Sequence, residues 1–228
     1  MKTLVFIHGA GGSENTWIYQ KKHFEKRYKV IVPNLMKICK NNDISNYVRD
    51  VLTFLCENQI EKCVMIGHSM GGAITLKFGL TYPKKLKAIV LVGTGAKLRV
   101  HPMIFEVIEK DHERAANLIT EFALYEKTPR ELALKISKDI LKTPKDVLLK
   151  NFKACDKFDQ MDEISGIEVP TLIVCGSEDR LTPLKYSSYL KNKIENSQLE
   201  VIERAGHMVM LEQHEEFNEK LDEFLEHL

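Results

Sequence analysis

The run Lys62-Cys-Val-Met-Ile-Gly67-His68-Ser69-Met70-Gly71-Gly72-Ala73 constrains the fold more than any other segment of the chain. A short apolar stretch rich in branched residues reads as a buried strand, and the residues after Gly71 read as the first turn of a helix. Between them stands a G-x-S-x-G pentapeptide. Glycine is needed on both sides of the serine because a Cβ at either position crowds so sharp a turn. The turn lifts Ser69 Oγ clear of the sheet, with a helix N-terminus behind it to favour developing negative charge. Residue frequencies in this chain give only about 0.02 chance matches to the pentapeptide. A glycine-rich turn carrying an incidental serine is therefore a poor account of it.

The rest of the chain repeats the strand-then-helix theme. Thr3 to Ile7, Lys29 to Val32, Lys62 to Ile66, Leu86 to Val92, Thr171 to Cys175 and Gln198 to Ile202 are short apolar runs ended by Gly, Pro or polar turns. They lack polar alternation, as strands covered on both faces do. Asp43 to Gln59 carries apolar residues at helical spacing with Asp43 or Ser45 as N-cap, and Glu212 to Leu228 places Phe217, Leu221, Phe224, Leu225 and Leu228 on one stripe. Such alternation implies a parallel sheet with helices on both faces. From Lys97 to Glu163 it stops, and four helical patterns follow, with Pro102, Pro129 and Pro144 near their starts. That length exceeds an ordinary connection and predicts an inserted helical subdomain.

Composition removes several function classes. The 228 residues are 44% hydrophobic and 29% charged, and 33 Lys and Arg against 32 Asp and Glu leave a net charge of +1, without the basic excess of a nucleic-acid binder. The longest apolar run, Ala88 to Val92, is far short of the about 20 residues a membrane span needs. Met1-Lys2 is followed by only Leu4-Val5-Phe6-Ile7 before a polar turn, too short for a secretory signal. Cys39, Cys56, Cys63, Cys155 and Cys175 are odd in number and widely spaced, which suits reduced, mostly buried thiols and a cytoplasmic location.

Two more segments bear chemistry. Thr3-Leu-Val-Phe-Ile-His8-Gly9-Ala10-Gly11-Gly12-Ser13 is a strand running into a glycine-rich loop. A dinucleotide fingerprint from Gly9 would require glycine at 14, where Glu14 stands, and no G-K-[ST] follows. The remaining reading is a loop in which small residues let a backbone N–H approach an acyl oxygen. Downstream, Asp179 lies just beyond the strand Thr171 to Cys175, with Glu178 as its rival, and His207 just beyond Gln198 to Ile202. The order Ser69, Asp179, His207 is that of a Ser–acid–His triad on a parallel sheet. His68 is expected to pack under the turn and His8 to brace the glycine loop. His23, His101, His112, His214 and His227 read as solvated. A zinc site from His207, Glu212, His214 and Glu215 fails, because H-E-x-x-H would require His at 218 and Asn218 stands there; neither metal nor organic cofactor is expected.

The chain resembles the α/β-hydrolase superfamily, in its lid-bearing serine esterase and lipase-like branch, through its H-G-x-G-G, G-H-S-M-G-G, G-x-x-D-x-L-T-P and A-G-H motifs. The resemblance implies Ser69 as nucleophile, His207 as general base and acid, and Asp179 as its partner. The oxyanion hole would be the backbone N–H groups of Ala10 and Met70. It also implies a core of residues 1–96 and 164–228 and a helical lid over 97–163, whose Met103, Ile104, Phe105, Val107 and Ile108 would furnish an acyl pocket. Family members usually carry two strands ahead of the H-G-x-G strand, which here begins at residue 3, so the expected sheet has six parallel strands in the order 2-1-3-4-5-6. Lys29 to Val32 is then an edge, guarded by Lys26, Arg27, Lys29 and Pro33, and the chain is expected to be a monomer or a lid-mediated homodimer. The expected substrate is a small-molecule carboxylic ester. A C–C bond hydrolase, a lactonase, a thioesterase or a triad-retaining small-molecule receptor or signalling protein are the alternatives.

Overall fold

The computed structural model describes residues 2–38 and 43–228; Cys39 lies outside them. In chain order come β1 (Thr3–Ile7), α1 (Ile18–Phe24), β2 (Lys29–Ile31), α2 (Leu35–Ile38), α3 (Ile44–Glu57), β3 (Cys63–His68), α4 (Met70–Thr81) and β4 (Leu86–Val92). Four helices follow: α5 (Pro102–Lys110), α6 (His112–Ala123), α7 (Arg130–Leu141) and α8 (Lys145–Lys157). β5 (Thr171–Gly176), α9 (Leu184–Lys193), β6 (Ser197–Ile202), α10 (Val209–Glu212) and α11 (His214–Glu226) complete the chain. The six strands form one parallel sheet in the order β2-β1-β3-β4-β5-β6. This is the α/β-hydrolase arrangement expected from the motifs.

Sheet alternation divides the core in two. Val5, Ile7, Met65, Ile89, Leu91 and Ile173 face one side with Val51 and Leu55 of α3 and Leu190 of α9. Leu4, Phe6, Val64, Ile66, Val90 and Val174 face the other, with Trp17, Phe24 of α1, and Phe217 and Leu221 of α11. Phe6, Trp17 and Phe217 make an aromatic chain on this second face, with centroids 5.0 and 6.1 Å apart, and each fully buried side chain of this size contributes about 1.5–3 kcal/mol. The segment between β4 and β5 contributes to both sides: Ile108, Ile119, Ile140 and Leu148 to the second, Ala154, Cys155 and Phe158 to the first.

Local signals account for the ends of most elements. Asp43, not Ser45, caps α3, its side chain accepting from Asn46 N. Pro102 occupies the first turn of α5, while Pro129 and Pro144 are the cap residues of α7 and α8. The C-terminal helical stripe is broken once: α10 ends at Glu212, and Gln213 separates it from α11. Cys63, Cys155 and Cys175 are buried and Cys56 is exposed, all four as free thiols. Burial pushes Cys63 and Cys155 up to about 12, so neither is a nucleophile at neutral pH.

Candidate active site

Three strand ends, those of β3, β5 and β6, converge at the carboxyl edge of the sheet, where ligands of open parallel sheets bind. β3 ends at His68, and Ser69 turns the chain into α4 with φ 54° and ψ −117°. For a non-glycine residue that conformation is strained, and it persists because its surroundings over-determine it. Ser69 N–H donates to Val92 O at 2.9 Å and Thr94 Oγ1 donates to Ser69 O at 2.9 Å. The flanking glycines are dictated by close approach: a Cβ on Gly67 would strike Gly71 O, and one on Gly71 would strike Ile7 O and lie 2.7 Å from His8 O.

Asp179 and His207 follow β5 and β6. His207 Nδ1 lies 2.8 Å from Asp179 Oδ2, and both side chains are buried. Leu181 N–H and Thr182 N–H donate to Asp179 Oδ1 at 2.9 and 2.8 Å, and Thr182 Oγ1 donates to Oδ2 at 2.8 Å. Burial pushes this carboxyl up, but the adjacent imidazole and the two Thr182 donors outweigh it and hold it at about 2. With the carboxylate accepting from Nδ1–H, Nε2 is the ring nitrogen left free of that bond. The rival Glu178 is exposed; among the described residues its carboxylate accepts only a long 3.5 Å hydrogen bond from Ser177 Oγ.

The histidines beside the pair are structural. His68 Nε2–H donates to His207 O at 3.0 Å; burial first, then the neighbouring His207, hold His68 well below the usual imidazole range, so it stays neutral. His8 Nδ1–H donates to Gly9 O at 3.0 Å while its Nε2 accepts from Leu35 N–H at 3.3 Å, bracing the glycine loop from below. The solvated reading holds for His23, His101 and His227, which are exposed, although His23 pairs with Asp222 at 2.6 Å alongside Arg27; it fails for the half-buried His214, which stacks on Tyr19 with centroids 4.0 Å apart. His112 Nε2 is buried. A half-exposed position at a helix end leaves room for such partners, which spacing does not reveal.

Ser69 and His207 open onto a cavity of about 890 Å³ whose wall includes Ala10. Met70 begins α4, so its N–H belongs to the first turn, where helices have no internal acceptors. Of the five pocket residues expected from sequence, Met103 and Ile104 line the cavity, whereas Phe105, Val107 and Ile108 do not. Ile108 is fully buried among Ala115, Ala116 and Leu148, because α5 turns that face onto α6 and α8. Ile119, Phe122, Leu132 and Ile136 from α6 and α7 take the place of the missing residues. Two functional neighbours escape the motif reading. Thr182 stands inside the Asp179 motif, which is the signal that could have found it. Glu212, which sequence offers only as a zinc ligand, instead accepts hydrogen bonds from Gly206 and Met208 on either side of His207. Among the described residues no three His, Cys, Asp or Glu side chains gather around a point that could hold a metal, and no described helix is long and apolar enough to cross a membrane.

Sheet, elbow and the paired acid and imidazole define a hydrolase frame. The chain belongs to the α/β hydrolase family, which it matches over residues 4–220. It is similar to a 2-hydroxy-6-oxononadienedioate/2-hydroxy-6-oxononatrienedioate hydrolase of Paraburkholderia phymatum, 27% identical over 98% of this chain and 87% of the relative. It is also similar to a 3-oxoadipate enol-lactonase of Acinetobacter baylyi, 26% identical over 94% of this chain and 85% of the relative. Among solved structures, a thermophilic esterase is 34% identical, with a TM-score of 0.85 over 99% of this chain and 90% of that one.

Proposed function

We propose that this chain is a serine hydrolase that cleaves carboxylic esters of small or medium acyl chains through an acyl-enzyme. The observation that carries the reading is Ser69, on a strained elbow, sharing an apolar-walled cavity with an imidazole whose far nitrogen is held by a buried carboxylate. A serine hydroxyl is a weak nucleophile at neutral pH, so His207 Nε2 takes its proton as Oγ attacks the ester carbonyl. Asp179 keeps the imidazole in the required tautomer and stabilises the imidazolium. Ala10 and Met70 N–H donate to the tetrahedral oxyanion, each worth about 3 kcal/mol. The imidazolium then gives its proton to the departing alkoxide, which leaves as the alcohol. Water, deprotonated by the same nitrogen, releases the acid and regenerates Ser69. The four helices between β4 and β5 act as the lid and roof the acyl pocket with Met103, Ile104 and their neighbours from α6 and α7.

The 34% identical esterase supports the ester reading. The dienedioate hydrolase and enol-lactonase relatives support a second one, in which the same three residues cleave a C–C bond or a lactone. A panel of p-nitrophenyl acetate through decanoate, an enol-lactone and a vinylogous 1,5-diketone, run on wild type and Ser69→Ala, separates them. Fast ester turnover with a chain-length optimum, abolished in Ser69→Ala, is expected. A stoichiometric burst without turnover would overturn the enzyme reading in favour of a receptor. Turnover of the diketone or lactone alone would overturn the ester reading.

A further inference from the structure

The loop that carries His207 has no regular structure between β6 and α10, so its geometry depends on what it is bonded to. From the sheet side its carbonyls accept two bonds, from His68 Nε2–H at His207 O and from Glu178 N–H at Ala205 O. The backbone N–H groups of residues 206–208 are held by one carboxylate and one neighbouring element. His207 N–H donates to Ala123 O at 2.7 Å, at the end of α6. Glu212 Oε1 accepts from Gly206 N–H at 3.0 Å and Met208 N–H at 3.2 Å, the residues on either side of the imidazole. Glu212 Oε2 accepts from Tyr125 N–H at 2.8 Å and Thr128 Oγ1 at 2.6 Å, both in the connection between α6 and α7.

We propose that Glu212 is a positioning residue, whose ionised carboxylate fixes the His207 loop to the α6–α7 connection and so sets the imidazole that activates Ser69. The donor set favours the charge, because three of the four partners are backbone N–H groups that cannot accept. An ionised carboxylate is acceptor-only, and here each oxygen meets two donors and no acceptor. Glutamine does not satisfy that set: its NH₂ would face either Tyr125 N–H or the N–H groups of Gly206 and Met208, none of which can accept, freeing either the lid connection or the flanks of His207. Burial draws the carboxyl upward while the four donors oppose the rise, with a net upward shift. Glu212 is absent from the cavity wall, so it acts through His207 and touches no substrate. A zinc role for it is excluded by the same four donors, which occupy its lone pairs. Arg180 reinforces the joint: its guanidinium donates to Glu121 O and Leu124 O of the same α6 end, from the residue next to Asp179. Acid loop and histidine loop are therefore both referenced to one short stretch of backbone, residues 121–125.

This inference rests on the reading of Ser69 and His207 as nucleophile and base, and the test keeps the two apart. Fluorophosphonate labelling of Ser69 is timed in wild type, Glu212→Gln and Thr128→Val, at a temperature well below unfolding of each by circular dichroism. Wild type should label on the Ser69 peptide. Glu212→Gln should label about 100-fold more slowly, the scale of a small misplacement in a reacting constellation. KM for a p-nitrophenyl ester should stay within about twofold, because the cavity wall is untouched. The downfield proton resonance of His207 Nδ1–H should broaden or shift in step with the rate, which loss of general stability alone would not produce. Thr128→Val, which removes one lid-side donor only, should slow labelling by several-fold, and it carries the test if Glu212→Gln does not fold. Labelling in either folded variant within twofold of wild type, with an unchanged imidazole resonance, overturns the proposal. Failure of wild type to label at Ser69 overturns the underlying reading instead, and the resonance still reports on positioning.

Discussion

Two imidazoles, His68 and His207, stand with ring centroids 4.6 Å apart and meet different hydrogen-bond partners. His68 donates to a backbone carbonyl, whereas His207 donates to a carboxylate. Asp179 is thus the residue that differentiates them, and its removal has a pH signature. Its carboxyl titrates at about 2 in the folded chain and near 3.9 in an unfolded one. A depressed folded value contributes stability that is complete above the unfolded value and lost as pH falls through about 2, worth roughly 2–3 kcal/mol. Asp179→Asn should therefore cost most stability at pH 6, with the gap from wild type narrowing by pH 2.5 in urea titrations. Its kcat should drop by about 10⁴-fold through the wrong imidazole tautomer. A gap that stays constant from pH 6 to pH 2 would contradict this account of the pair. Ser69, Asp179 and His207 are legible in the sequence because each follows a recognisable strand in the order the chemistry requires. Glu212 is not, since a single glutamate at a helix end carries no spacing signal until the fold brings Tyr125 and Thr128 to it.

At the scale of elements, α7 and α8 are bonded to the glycine loop much as α6 is to the histidine loop. Asp139 accepts from Ser13 Oγ and from Asn15 Nδ2, Asn151 Oδ1 accepts from Gly11 N–H at 3.3 Å, and Thr143 Oγ1 donates to Gly11 O at 3.3 Å. Asn151 Nδ2 also donates to Tyr47 OH at 2.7 Å, joining α8 to α3. Asn151→Ala should lower the unfolding free energy by about 2 kcal/mol, because a buried N–H of Gly11 loses its acceptor. It should also slow ester turnover more than it raises KM, since Gly11 adjoins Ala10. Urea unfolding and steady-state kinetics check both; a variant within about 0.5 kcal/mol of wild type would show the bond to be dispensable. The four helices themselves are readable from period and prolines. Their inward stripe is not: Ile104 and Ile108 share a face of α5, and only packing on α6 and α8 decides that the first lines the cavity and the second is core.

At the scale of the molecule, β2 ends the sheet and offers an edge only three residues long, Lys29–Ile31. So short a ladder, with Lys29 exposed at its start and Pro33 just beyond, opposes strand pairing with another copy. If copies of the chain associate, Met103, which is 40% exposed, is where the contact is expected instead. Sedimentation velocity of wild type, Ile31→Lys and Ile104→Glu decides between them. Ile31→Lys should leave the sedimentation coefficient unchanged, and any dimer should dissociate with Ile104→Glu. A dimer lost with Ile31→Lys and kept with Ile104→Glu would show that the edge associates after all.

The helices between β4 and β5 feed hydrophobic side chains to both faces of the sheet and backbone acceptors to the loops of two site residues. They are thus not a detachable module. A chimera that transplants the corresponding helices of a relative onto this sheet would inherit a foreign pocket, but also a histidine loop without its docking partner. Grafting would succeed only when residues 121–128 travel together with a matched glutamate at 212, so the diversification of pockets on this frame is coupled to the upkeep of its catalytic geometry.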